Sequence, residues 1–339
     1  MVGAAILAEA WISAGLAATP VRIAIHLPRL VHLWFRGGFA LGAVCIVCGS
    51  VVDLIWSRIP GFNPERRRFF GVIKAAAFAA PVVTVAAGYS QREALRLVEI
   101  NIPMPGLPRD LDGLRIVQVS DLHLSPLVSE AFVARAIDMA NETRAHLAVM
   151  TGDLISSFGD PLDNCIRQVS RLKADAGVYG CLGNHEAYVS AEGYTARQAG
   201  RYGVRFLRKE AALLRFGSAQ LNLAGVDYQR RADPYLVGAE KLIVPGVTNI
   251  LLSHNPDVFP VAAKQGYDLT IAGHTHGGQI NIEILHHGLN VARFYTPYVY
   301  GLYERGRATA FVTRGVGTIG IPSRLGAPPE VALLRLCAI

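Results

Sequence analysis

Five short apolar runs between residues 114 and 276 each end at once in side chains that ligate metals, and this constrains the fold more than any other feature of the chain. Residues 114–120 lead into Asp121-Leu122-His123, 147–151 into Gly152-Asp153, and 178–182 into Gly183-Asn184-His185-Glu186. Residues 248–253 lead into His254-Asn255, and 269–272 into Gly273-His274-Thr275-His276. In α/β sheets, ligand sites gather in the crevice beyond the carboxyl ends of the strands. The five clusters are therefore expected to share one crevice.

On an extended strand alternate side chains share a face, so His274 and His276 point the same way. The flanking Gly273, Gly277 and Gly278 let the backbone come close to whatever the imidazoles hold. Read singly, each position has a plain alternative: two solvated histidines in a polar turn, or Asp121 capping a turn. It is the coincidence of five clusters that favours a metal centre.

From residue 94 onward, β-branched runs alternate with helical patterns between Gly, Pro and Asp turns, as in an α/β domain. Strands are predicted at 95–102, 114–120, 147–151, 178–182, 221–226, 248–253, 269–272, 308–313 and 331–336, and helices at 129–142, 161–174 and 193–202. The 339 residues leave room for one large domain, 94–339, and an appendage, 1–93.

That appendage carries two apolar stretches, 38–56 and 71–89, close to the roughly 20 residues a bilayer-spanning helix needs. Pro81 is tolerated in such a helix, and Asp53 and Lys74 lie near ends where their charges reach the interface. A third stretch, 2–19, carries Glu9 mid-run, at a cost of about 2.5 to 3.5 kcal/mol if it spans. Residues 21–35, with Arg22, Arg29, His26 and His32 on an apolar background, suggest an interfacial helix. Arg58, Arg66, Arg67 and Arg68 fall between the two better spans; the positive-inside tendency puts this loop in the cytoplasm and the rest of the chain, after the second span, outside. The Arg-Arg-Arg-Phe-Phe sequence is equally a twin-arginine export signal, with the same orientation. The basic residues at 22, 29 and 36 pull the other way.

Of the net charge of +7, a surplus of five lies in residues 1–93 (nine basic against four acidic) and only two in the remainder. No basic cluster marks the main domain, so nucleic acid is not expected as a partner. The five cysteines, Cys45, Cys48, Cys165, Cys181 and Cys337, show no pairing pattern and read as small hydrophobes.

The ordered set D-x-H, G-D, G-N-H-E, a lone His and G-H-x-H resembles the signature of the calcineurin-like metallophosphoesterase superfamily. The form G-H-T-H-G-G-Q, with S-D-L-H-L and an apolar N-terminus, is similar to its membrane-anchored phosphoesterase branch. The resemblance implies a four-layer αββα sandwich, preceded here by N-terminal transmembrane helices. It implies two divalent metal ions, one on Asp121, His123, Asp153 and His276, the other on Asp153, Asn184, His254 and His274. Asp153 would bridge them. Carboxylate, amide and imidazole ligands suit Mn, Zn, Fe or Mg, with Mn the first choice, and the lack of thiolates argues against structural zinc. Two cations about 3.5 to 4 Å apart activate a bridging water for in-line attack on phosphorus. His185 takes the place of the acid that protonates the leaving group, a role worth about 10² to 10⁴ in rate.

The remaining candidates have two readings each. Glu186 either orients a ligand or is an exposed loop carboxylate. Arg324 either reaches a substrate phosphate or lies on the surface. His146, His286 and His287 match no motif, and the adjacent pair His286 and His287, in a loop, reads as solvated. After Gly152-Asp153 the chain lacks the Asp-Arg pair of serine/threonine phosphatase relatives, which argues against phosphoprotein substrates.

The expected activity is hydrolysis of a phosphodiester or pyrophosphate at a cell membrane, with the lipid bilayer and a phosphate-ester or lipid-linked small molecule as partners and no obligate protein partner. A UDP-2,3-diacylglucosamine-type pyrophosphatase of lipid A synthesis is the alternative; it calls for a cytoplasmic-facing domain. A non-catalytic metal-binding membrane module is the rival of a different class, but it would be expected to have lost ligands or His185.

Overall fold

The computed structural model describes residues 47–52, 54–55, 58, 64–230, 235–284, 287–320 and 322–339. The expectations for residues 2–19 and 21–35, with His26 and His32, and for Cys45, Asp53 and His286, lie outside them. The chain divides into two units, Met1–Tyr89 with Gly320–Ser323, and Ser90–Ile319 with Arg324–Ile339.

In the first unit, the expected span 71–89 falls within a helix, α1, Pro64–Gln91. Among the described residues no helix is long and apolar enough to cross a membrane. The expected transmembrane helices are therefore not among the described elements. Along α1 the apolar run is interrupted by Gly71, Lys74 and Pro81.

The second unit runs β1 Arg96–Met104, β2 Arg115–Val119, α2 Glu130–Glu142, β3 Leu147–Thr151, α3 Leu162–Val169, β4 Val178–Cys181, α4 Asn184–Tyr188 and α5 Glu192–Gly200. It continues with β5 Val204–Phe206, β6 Glu210–Phe216, β7 Ala219–Gly225, β8 Thr248–Leu252, α6 Phe259–Gln265 and β9 Leu269–Ala272. It ends with β10 Asn281–Ile284, β11 His287–Asn290, β12 Gly301–Arg305, β13 Ala308–Val312 and β14 Glu330–Ala338. Among the described residues these make two six-stranded sheets, β1-β14-β2-β3-β4-β5 and β12-β13-β9-β8-β7-β6, and the hairpin β10-β11. Both sheets are mixed: β2 to β5 are parallel with β14 antiparallel to β2, and β7, β8, β9 and β13 are parallel with β6 and β12 antiparallel at the edges.

The central strands are apolar without alternation because both of their faces are covered. In β2 and β3, Ile116, Leu147 and Val149 face a core shared with Leu221, Leu223, Ile250, Leu252 and Ile271 of the second sheet. Their neighbours Val117, Val119, Ala148 and Met150 join Phe132, Val133, Ile137, Ile166 and Val169 of α2 and α3. On the far side of the second sheet, Ala224 and Leu251 pack with Val258, Ala262 and Tyr267. Apolar layers thus lie outside and between the sheets, as the predicted sandwich requires.

α2 starts where Ser129 accepts a hydrogen bond from the Phe132 N–H at 3.2 Å, and its apolar residues recur at helical spacing. The helix predicted over 161–174 stops at Val169. Asn141 of α2 receives the Lys173 N–H at 2.8 Å and donates to the Arg171 carbonyl at 2.9 Å, holding that backbone in a non-helical path. Strands β5, β6, β10, β11 and β12 were not predicted. β6 exposes Leu213 along with Glu210 and Arg215, which breaks the link between apolar positions and burial, and β5 is only three residues long.

Candidate metal centre

The strand ends that carry the motifs meet because hydrogen bonding between neighbouring strands continues past them. The Asp121 and His123 N–H groups donate to the Gly152 and Asp153 carbonyls, both at 3.0 Å, and the Gly273 N–H to the His254 carbonyl at 3.2 Å. The two sheets are joined here as well. Gln118 of β2 donates to the Ala272 carbonyl at 2.9 Å and to Thr151 Oγ1 at 2.7 Å, and the His274 N–H donates to Asp121 Oδ1 at 3.0 Å.

Asp121, His123, Asp153, His274 and His276 all adopt left-handed φ, from 48° to 78°. Non-glycine residues rarely do so, and such strain persists where surrounding structure enforces it. Close approach explains the motif glycines. A Cβ on Gly183 would collide with Asp153 Oδ1, and one on Gly273 with Ser120 Oγ.

All seven residues expected to ligate metals, and His185, lie together. Among the described residues, Asp121, His123 and His276 form one group, His123, Asp153 and His185 a second, and Asp153, His254 and His274 a third, with ligand atoms in each within 4.8 Å of one another. Asp153 Oδ2 stands 3.1 Å from His254 Nε2 and 3.5 Å from His123 Nε2. His276 Nε2 lies 3.5 Å from Asp121 Oδ1 and 3.0 Å from His123 Nε2. His254 Nε2 is 3.0 Å from both Asn184 Oδ1 and His274 Nδ1. His274 and His185 are half-buried, whereas the others are buried.

This donor set fits divalent cations. His254 Nδ1 donates to the Thr151 carbonyl at 2.6 Å, and His123 Nδ1 lies 3.2 Å from both the Ile155 carbonyl and Ser156 Oγ. The Nε2 atoms of both rings are thereby turned inward to accept a metal, the usual arrangement for a ligating imidazole. Electrostatics also call for positive charge. Burial opposes a charge on His254, yet the nearby Asp153 and Asp121 carboxylates lift it to about 9. Burial lowers His123 to about 3 and His274 to about 4, so both rings are neutral at neutral pH, the form that can accept a cation. Burial raises Asp121 to about 6; Asp153, against the same burial, is held low by His254 and His123.

Glu186 is fully buried rather than an exposed loop carboxylate. It accepts the N–H groups of Asp153 at 3.0 Å, Leu154 at 2.7 Å and Gly183 at 2.8 Å, and so clamps two ligand loops together. His185 hangs from the same clamp. Its N–H donates to Asp153 Oδ1 at 3.0 Å and its Nδ1 to the Ser156 carbonyl at 2.5 Å, leaving Nε2 4.0 Å from Asp153 Oδ2.

Arg324 corrects both expectations for it, since it is neither on the surface nor open to a substrate. Its side chain is fully buried, donating to the carbonyls of Arg314 at 2.8 Å, His276 at 3.1 Å, Ala327 at 3.3 Å, and Gly315 and Gly317. Its Nη2 also meets His276 Nδ1 at 3.1 Å. The segment it holds supports Asp121: the Gly317 N–H donates to the Asp121 carbonyl at 2.6 Å, and a Cβ on Gly315 would stand 2.6 Å from Asp121 Cβ. The sequence reading missed this turn, although its Gly315-Val316-Gly317 spacing signals a close backbone approach. His146, which matches no motif, accepts the Arg115 N–H at 3.0 Å.

Also missed were two tyrosines. The Tyr188 ring lies 5.5 Å from that of His185, and the Tyr228 ring 5.9 Å from His274 and 6.1 Å from His254. Burial and the neighbouring Tyr188 push Tyr228 up to about 12, so its hydroxyl keeps its proton at neutral pH.

An α/β fold of two mixed sheets with carboxylate, amide and imidazole side chains gathered at its strand ends is that of a metallophosphoesterase domain. The chain belongs to the calcineurin-like phosphoesterase family, whose pattern matches residues 114–278 and whose members bind two divalent metals. It is 31% identical over 256 residues to a transmembrane protein with metallophosphoesterase domain from Danio rerio, a match covering 71% of this chain and 57% of that protein. It is 29% identical over 281 residues to the uncharacterized metallophosphoesterase YkuE of Bacillus subtilis (80% and 97% covered), and 30% identical over 241 residues to phosphodiesterase YaeI of Escherichia coli (66% and 82% covered). The chain thus spans little more than half the length of the Danio rerio relative.

Proposed function

We propose that the protein is a two-metal phosphodiesterase, with manganese as its metal, that works at a membrane on a phosphodiester or pyrophosphate carried by a lipid-linked small molecule. The observation that carries the reading is Asp153, whose Oδ2 faces His254 Nε2 at 3.1 Å and His123 Nε2 at 3.5 Å, as a carboxylate shared between two cations must. Asp121, His123, Asp153 and His276 would hold one cation, and Asp153, Asn184, His254 and His274 the other. When bound, such a pair supplies a water of lowered pKa and a clamp on the phosphate oxygens.

The chain's own residues do the rest. Glu186 and Arg324 keep the ligand loops in place. His185, its Nδ1 held by the Ser156 carbonyl at 2.5 Å, presents Nε2 to the centre, where it can deliver a proton to the leaving oxygen. The name of the Escherichia coli relative supports the diester over the monoester.

The membrane part of the reading rests on the name of the Danio rerio relative, on the apolar stretches of residues 1–93, and on α1, where Phe69, Val72 and Val83 are 61%, 64% and 63% exposed. A tether to the bilayer raises the local concentration of a lipid-linked substrate. We place the catalytic domain on the extracytoplasmic side, following the basic loop before α1.

Turnover of bis-p-nitrophenyl phosphate by the manganese-loaded full chain tests the activity. Hydrolysis well above that of p-nitrophenyl phosphate is expected; two bound metals with neither compound cleaved would move the assignment to a non-catalytic metal-binding module. A C-terminal reporter active only in the cytoplasm should stay silent.

A further inference from the structure

The geometry points to Tyr188 and Tyr228 as a binding wall for a flat aromatic ring in the substrate, attached on the leaving-group side of the phosphorus. This rests on the phosphodiesterase reading above and names the kind of group that departs.

The two rings stand edge to face, with centroids 6.5 Å apart at 77°. Tyr188 lies 5.5 Å from His185, the residue placed to protonate the leaving oxygen, while Tyr228 lies 5.9 Å from His274. A leaving group that takes its proton from His185 must therefore pass beside Tyr188. That ring is 64% exposed, although it adjoins a buried centre. An exposed aromatic beside a buried polar site offers a face to stack on, and aromatic pairs are favoured beyond the area they bury.

The choice of tyrosine indicates the kind of ring. An acyl chain would be met by aliphatic side chains. Two phenols give an apolar face with a polar edge, which suits a heteroaromatic ring such as a nucleobase; bases stack on tyrosine whatever their sequence identity. Tyr188 ends α4, a single turn that also carries Asn184 and the clamp residue Glu186, so its ring is fixed beside the centre.

Calorimetry with phosphonates on the manganese-loaded full chain tests this without requiring turnover. Phenylphosphonate and methylphosphonate carry the same head group and differ in the ring. The wild type should bind phenylphosphonate about tenfold more tightly, a factor within reach of one stacking contact. Tyr188→Ala with Tyr228→Ala should bring the ratio to near one while methylphosphonate affinity stays unchanged, and the Phe substitutions should keep the preference. Tyr188→Ala alone, at an exposed position, should lower the ratio severalfold without affecting the fold.

Equal wild-type affinity for the two ligands, binding of neither, or a preference that survives the double substitution overturns the inference. So does tighter binding of octylphosphonate than of phenylphosphonate. A preference that depends on the tyrosines, in a protein that does not cleave bis-p-nitrophenyl phosphate, would uphold the ring site and overturn the phosphodiesterase reading instead.

Discussion

His254 Nε2 lies 3.0 Å from Asn184 Oδ1, joining a residue that follows β8 of one sheet to a residue that follows β4 of the other. Because His254 Nδ1 is committed to the Thr151 carbonyl, the facing pair of acceptors is satisfied only by a proton or a cation between them. With Asp153 3.1 Å away, positive charge is what that point selects.

Removing metal should therefore destabilise the fold. A ligand that binds only the folded state contributes RT ln(1 + [L]/Kd), about 2.7 kcal/mol at a hundredfold excess over Kd. Differential scanning calorimetry should show a lower Tm after chelation, and manganese should restore it in a concentration-dependent way. A Tm unaffected by chelator would mean that the left-handed backbone at Asp121, Asp153 and His276 is held without a metal.

His185 and Asp153 should separate turnover from metal binding. His185→Ala should lower kcat by about 10² to 10⁴ and leave two metals bound, since its Nδ1 is turned away to Ser156. Asp153→Asn should lose both activity and metal. Metal content by mass spectrometry, measured beside kcat, distinguishes the two; metal loss in the His185 variant would make that residue a ligand.

Arg324 should matter to stability and to one metal more than to substrate. Arg324→Met strips five carbonyls of a buried donor, and a loss of about 3 kcal/mol or more in urea unfolding is expected. Arg324→Lys keeps the charge but not the fork, and should weaken metal affinity by about 10- to 100-fold through His276. An unchanged metal titration with a raised KM would return Arg324 to a substrate role.

Glu130 supplies a pH-dependent part of the stability. Hydrogen bonds from Gln168 at 2.8 Å and Asn164 at 2.9 Å hold its carboxyl below the ordinary value of 4.5, and its place in the first turn of α2 favours the same charge. A depressed carboxyl stabilises the fold above its unfolded pKa, and the gain is lost as pH falls through the folded value. Glu130→Gln should thus lower Tm at pH 7, and the difference should vanish towards pH 3. A constant difference across that range would assign the effect to shape rather than charge.

Much of the centre was legible in the order of residues because each ligand follows its strand directly. An apolar run that is buried on both faces ends where the chain turns, and the next two or three residues must face the crevice. That rule brought forward the clusters holding Asp121, His123, Asp153, Asn184, His254, His274 and His276, and the resemblance to the metallophosphoesterase signature singled these residues out within them. The same rule located β2, β3, β4, β8 and β9 within a residue or two. It missed β6 and β12, the edge strands of the second sheet, which no ligand motif follows and where Leu213 and Leu302 stand exposed.

Sequence by itself determined which side chains could serve a metal and which strands deliver them, since both depend on neighbours within a few residues. Only the tertiary structure decided what Glu186, Arg324, Tyr188 and Tyr228 do. Whether a carboxylate is exposed or clamps two loops, and whether a guanidinium meets a phosphate or five carbonyls, depends on backbone brought near from distant parts of the chain. Arg324 reaches the His276 ring, forty-eight residues earlier in the chain, only after the two sheets have packed. No local pattern encodes that distance, because the contact is set by the layers that fold between the two residues.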